Sequence, residues 1–164
     1  MYVRAGSVLG VNPVFRKIAV AIDGSEFGAA ALAAAVDLAR HYDARLTVVS
    51  VAPVSPALVM PNEPILPPLL PESSVPKFRA LVDEAVRKAQ SAGLRGVDGV
   101  CEEGAPVDEL IRFLEKHPVD LLVLGSRGLS TAKRIFLGSV STALVNRAPC
   151  PVLVVRPAST TRTE

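Results

Sequence analysis

Short runs that are apolar at nearly every position recur along this chain, and each is separated from the next by a stretch of helical periodicity. Lys17–Ile22 (KIAVAI), Arg45–Val51 (RLTVVSV), Leu121–Leu124 and Pro151–Val155 (PVLVV) are too short for helices and too uniformly apolar for half-exposed strands. Strands of that kind are covered on both faces, as in a parallel sheet. Between the first two, Gly28–Tyr42 carries Leu32, Ala35, Val36 and Ala39 at i, i+3, i+4, i+7 spacing, so a crossover helix joins strands that run the same way. Asp23-Gly24-Ser25-Glu26 is the turn that feeds it. The clearest helix spans Lys77–Ala92, with Phe78, Leu81, Val82, Ala85, Val86 and Ala89 on one face and Gly93 as its stop. Val97–Glu102 reads as a third, irregular strand. A helix opened by Ala105-Pro106 turns Leu110, Ile111 and Leu114 inward and ends at His117-Pro118, and Ser139–Asn146 forms the last helix. Strands alternating with helices in this way predict an α/β fold, a doubly wound five-stranded parallel sheet with about four helices, Rossmann-like. Such sheets bind ligands beyond the carboxyl ends of the strands, where the strand order switches. Asp23 follows the first strand and Gly125 the fourth, both at that edge.

A chain of 164 residues, 49% of them apolar, can bury the core of one domain. The net charge of +2, with no dense Lys/Arg run, argues against nucleic acid as a partner. The apolar stretch 51–70 is cut repeatedly by proline, so no membrane span is expected. Residues 1–14 lack the continuous apolar core of a secretory signal and read as an extension. Cytoplasmic localisation follows by elimination. Cys101 and Cys150 lie far apart, in no CxxC or zinc-ligand pattern, and read as buried reduced thiols. Residues 53–76 hold eight of the fourteen prolines (positions 53, 56, 61, 64, 67, 68, 71 and 76). No regular helix or central strand suits them. A loop of that length is a lid, a partner-binding segment or a solvated variable loop. Residues 157–164 form a polar tail.

The stretch Gly125–Thr142 (GSRGLSTAKRIFLGSVST) leaves a strand and enters a helix. Gly125 and Gly128 allow backbone amides to wrap an anion, and Gly138-Ser139 opens the helix where free amides and the dipole favour phosphate. Ser139, Ser141 and Thr142 add hydroxyls, while Arg127, Lys133 and Arg134 offset phosphate charge. A Walker loop is excluded, because no lysine precedes Ser139, and the GxGxxG fingerprint is missing from the first turn. Taken singly, these glycines are ordinary turn residues and Ser139 an ordinary N-cap. Asp23 likewise divides between a helix N-cap and a ligand role.

Taken together, Gly125, two residues, Gly128, nine residues and Gly138-Ser139 resemble the nucleotide-binding pattern of the ATP-binding branch of the universal stress protein family. The resemblance extends to Lys17–Glu26, to Asp120–Gly128, and to Gly138–Ser141 with Ala148–Val155, so it covers about residues 15–156. It implies an adenine nucleotide α-hydrolase-like sheet holding ATP, with Mg or Mn accompanying the nucleotide. Residue by residue, it implies that Ala21 and Ile22 flank the adenine, and that Val51 contacts it. Asp23 faces the ribose or a phosphate-bound metal, with Ser25 nearby. Leu124, Gly125, Arg127 and Gly128 line the ribose and phosphates, and Gly138, Ser139, Val140 and Ser141 hold the phosphates. Ala21-Ile22 stands where some members carry proline and a hydroxyl residue, which alters the expected ribose contacts.

The implied function is a nucleotide-responsive regulator in stress adaptation, a homodimer paired through Pro151–Val155, acting on a protein partner the sequence does not name. A slow Mg-dependent ATPase is the first alternative, but no residue is an evident base. His41 and His117 sit at helix ends, where they satisfy late carbonyls, and no triad or carboxylate pair stands out. A nucleotide-free scaffold is the second. An adenylate-forming relative is disfavoured, because no SGGxDS loop follows the first strand.

Overall fold

Five parallel strands form one sheet in the order β3-β2-β1-β4-β5: β1 (Lys17–Ala21), β2 (Arg45–Ala52), β3 (Val97–Glu103), β4 (Leu121–Gly125) and β5 (Val152–Val155). Four helices connect them: α1 (Glu26–Tyr42), α2 (Val75–Ser91), α3 (Pro106–Lys116) and α4 (Ser139–Arg147). This computed structural model describes residues 14–54, 74–128 and 137–157. Residues 55–73, most of the proline-rich segment, lie outside them.

Strand alternation sorts the core into two layers. Ile18 and Val20 of β1, Leu46 and Val48 of β2, and Leu121 and Val123 of β4 pack under α1 and α2. Ala19, Val49, Leu122 and Leu124 point the other way, against Leu110, Phe113 and Leu114 of α3 and Leu144 of α4. The central strands are therefore buried on both faces, as their uniform apolar composition requires. Small residues let α1 lie close to the sheet, since Ala31, Ala35 and Ala39 are completely buried.

Helix ends follow local chemistry. Ser25, in extended conformation, accepts from the Gly28 N–H and caps α1, so the helix starts at Glu26, two residues before the Gly28 start expected from the sequence. Ser25 and not Asp23 is thus the N-cap. α2 also starts earlier than its stripe predicts, at Val75, and takes Pro76 into its first turn. Proline is tolerated there because a first-turn amide has no helical acceptor to lose. Gly93 ends that region with a φ of 95°, which a residue bearing a Cβ rarely adopts. At the opposite edge of the sheet, Asp120 Oδ2 accepts from the Arg16 and Lys17 amides at 2.8 and 2.9 Å and joins the starts of β1 and β4.

Two sequence readings are modified. β3, irregular in sequence, has a packing reason for Gly99: a Cβ there would lie 2.6 Å from Val82 Cγ1, so its absence lets α2 press onto the strand. Cys101 and Cys150 are free thiols, but partly buried and not fully so. Burial pushes both thiols up from their ordinary pKa, which disfavours the reactive thiolate.

Candidate functional site

β1 and β4 are neighbours, yet the chain leaves β1 for α1 on one face and leaves β4 for α4 on the other. Divergent exits open a crevice beyond the strand ends. A cavity of about 570 Å³ lies there. Ala21 and Ile22 from the end of β1, Val49, Ser50 and Val51 from β2, and Leu124 and Gly125 from β4 line it at the sheet. Phe78 of α2, Pro106 and Leu110 of α3, and Leu144 of α4 give it apolar walls. Asp23, Gly28, Arg127, Gly128 and the segment 137–141 complete it.

Of the residues that the resemblance assigns to the nucleotide, all but Ser25 line this cavity, whereas Thr142, whose hydroxyl was expected beside the phosphates, does not. Ser25 acts on Asp23 instead: its N–H and hydroxyl donate to Asp23 Oδ1 at 3.0 and 2.6 Å, while its oxygen caps α1. The carboxylate is therefore fixed to the first turn of α1. Gly24 makes the turn possible with a φ of 86°. Among the described residues, Asp23 and Arg127 are the charged side chains of the lining. The Arg127 guanidinium lies over the Phe27 ring, 5.7 Å from its centroid. Lys133 and Arg134 lie outside the described residues.

The glycines have different physical origins. A Cβ on Gly125 would come within 2.7–2.8 Å of Phe27, including its backbone C and O, so close packing of α1 on β4 demands this glycine. A Cβ on Gly128 would lie 2.6 Å from Asp23 Oδ2. Gly138 is unlike both: it has a φ of −62°, and the nearest atom to its would-be Cβ is Arg127 Cα at 3.4 Å. Packing alone does not require a glycine there. Gly138, and not Ser139, is the N-cap of α4, and no side chain caps that helix.

Two serine hydroxyls of the lining are engaged within the protein, Ser141 having been expected to serve the ligand. Ser141 Oγ donates to the Gly125 carbonyl at 2.8 Å, which ties α4 to the end of β4. Its proton is committed there, so Ser141 offers an incoming phosphate its backbone amide and no hydroxyl donor. Ser50 Oγ donates to the Ile22 carbonyl at 2.6 Å and holds the chain just beyond β1. His117 stacks on Phe113, with ring centroids 4.8 Å apart, and His41 meets Tyr42 edge-on. Neither histidine lines the cavity. Among the described residues no group of three or more His, Cys, Asp and Glu side chains is arranged to hold a metal ion.

The walls were missed in the sequence, where Phe78 and Leu110 read simply as core and Leu144 was not singled out. One rule locates two of them. A helix entered from the carboxyl edge of a parallel sheet has its first turns at that edge, and Phe78 and Leu110 are early apolar residues of α2 and α3.

A sheet ordered 3-2-1-4-5, wound on both faces and carrying a ligand-sized crevice at its switch point, defines a Rossmann-like α/β protein. The model of the universal stress protein family matches residues 15–156, and the chain belongs to that family. It is 32% identical over 149 residues to a universal stress protein of Methanocaldococcus jannaschii, covering 87% of this chain and 83% of the relative. Universal stress protein UspA of Lactobacillus plantarum superposes with a TM-score of 0.71 at 29% identity, covering 86% of this chain and 97% of that one. A universal stress protein crystallised in complex with cAMP superposes with a TM-score of 0.64 at 26% identity, covering 86% and 97%. No described helix is long and apolar enough to cross a membrane.

Proposed function

We propose that this protein binds ATP in the switch-point cavity, as a member of the ATP-binding branch of its family, and works as a nucleotide-responsive homodimer with at most weak ATP hydrolysis. The observation that carries this reading is Gly138. It opens α4 on the cavity with no capping side chain, at a position where packing does not require glycine. The first amides of a helix have no helical acceptor, and the dipole favours an anion there. The Ser139, Val140 and Ser141 amides suit phosphate oxygens. Ala21, Ile22, Val51 and Leu124 suit the adenine and ribose, with Gly125, Arg127 and Gly128 beside the phosphates. A cation carried by the nucleotide, Mg or Mn, would meet Asp23, since magnesium is commonly held by one or two carboxylates together with phosphates. A relative that holds cAMP supports an adenine nucleotide as the ligand class. Hydrolysis is disfavoured because no histidine lines the cavity and Asp23 is hydrogen-bonded to Ser25.

The test is to heat-extract the purified protein for mass spectrometry and to titrate the stripped protein with ATP and magnesium. Co-purified adenine nucleotide and saturable binding are expected. No binding at millimolar ATP would sink the reading.

Pairing through β5 rests on its place at the sheet edge and on the exposure of Leu153, at 38%. An apolar strand with an unpaired edge invites a partner. Light scattering should find a dimer that Leu153→Asp converts to a monomer, and a monomeric wild-type protein at micromolar concentration would refute the pairing.

A further inference from the structure

The two charged side chains of the described cavity lining are both held by the first turn of α1. Asp23 is held through Ser25. Arg127 is held through Phe27, whose ring lies under its guanidinium. The backbone on either side of this contact is also fixed. On the Arg127 side, the Ser126 N–H donates to Val155 O and Ser126 O accepts from the Gly138 N–H, both at 2.8 Å. On the Phe27 side, the missing Cβ of Gly125 lets the Phe27 backbone come against β4. A guanidinium within about 6 Å of a ring centroid is attracted by the ring face. Arginine otherwise has many rotamers to lose on binding an anion. A guanidinium already resting on an aromatic face loses fewer of them.

We propose that Phe27 is a positioning residue, which holds Arg127 at the cavity so that its charge acts on the phosphates of the bound nucleotide and offsets Asp23. The proposal rests on the nucleotide-binding reading above. It makes Phe27 matter in proportion to ligand charge, whereas a purely structural Phe27 would affect all ligands alike.

The experiment compares ATP–Mg with adenosine by calorimetry on wild type, Phe27→Leu, Phe27→Tyr, Arg127→Ala and the Phe27→Leu/Arg127→Ala double variant. Phe27→Leu keeps apolar bulk and removes the ring face, and should weaken ATP about three- to fivefold while leaving adenosine within about twofold. Phe27→Tyr, which keeps the ring, should bind ATP as wild type does and also answers any folding defect of the leucine variant. The double variant should bind ATP no more weakly than Arg127→Ala, because both changes remove one interaction. Equal losses for ATP and adenosine, additive losses in the double variant, or an unchanged Phe27→Leu would each overturn the proposal while leaving the nucleotide site standing. A wild type that binds neither ligand overturns both readings.

Discussion

Gly138→Val should lower ATP affinity about a hundredfold and leave the fold nearly intact. The residue lies in ordinary φ space, and its would-be Cβ meets Arg127 Cα and Ser126 O at 3.4 and 3.5 Å, distances that small shifts accommodate. A phosphate seated on the first amides of α4 would make charge-assisted hydrogen bonds worth about 1.5–3 kcal/mol each. Bulk at the N-cap that holds the phosphate off two such amides costs about 3 kcal/mol, or roughly two decades in Kd. Calorimetric titration alongside a thermal melt checks both halves. Unchanged affinity would move the phosphates elsewhere in the cavity. Gly128 is a poorer probe, because a Cβ there would strike Asp23 Oδ2 at 2.6 Å and disturb the carboxylate as well as the ligand.

Gly125→Ala should do the opposite, destabilising the protein in the absence of any ligand. The added methyl would sit 2.7–2.8 Å from Cβ, C and O of Phe27, and a helix backbone cannot swing aside as a side-chain tip can. Either α1 moves off β4 or β4 bends. Overpacking a close-packed interior costs about 1–3 kcal/mol, and contact with backbone places this substitution at the upper end. For a domain of this size that is a fall of roughly 10 °C in melting temperature. Ser141 aggravates the loss, since its hydroxyl is bound to the Gly125 carbonyl. Differential scanning calorimetry on stripped protein decides the matter, and a melting temperature within about 2 °C of wild type would show that the glycine is there for the ligand and not for the packing.

These two glycines also show where sequence reading succeeds and where it stops. Their spacing marks a segment whose described residues line the cavity, and strand periodicity places it at the carboxyl edge beside Asp23. Those features are local, and the order of elements along the chain preserves them. The reasons behind them are not local. The demand for glycine at 125 comes from Phe27, which is brought there by the β1–β4 pairing. Serine at 25 and serine at 139 look alike as caps, yet only Ser25 is one, because Gly138 already occupies the capping position of α4. Phe78 and Leu110 looked like core because burial in a core and burial around a cavity leave the same apolar stripe. The hydroxyl of Ser141 read as a ligand donor for lack of the tertiary contact that uses it.

Asp120 has a consequence for biosynthesis. Its bonds to the Arg16 and Lys17 amides join residues more than a hundred positions apart, and β4 is the second neighbour of β1 in the sheet. On the ribosome β1 emerges first and can pair with β2 early. Its other edge, in the middle of the finished sheet, must wait until Leu121–Gly125 has been made. Long-range pairings of this kind form slowly, and until they form the waiting edge is open to other chains. A nascent chain stalled or cleaved before Asp120 would therefore expose the most apolar strand edge it possesses.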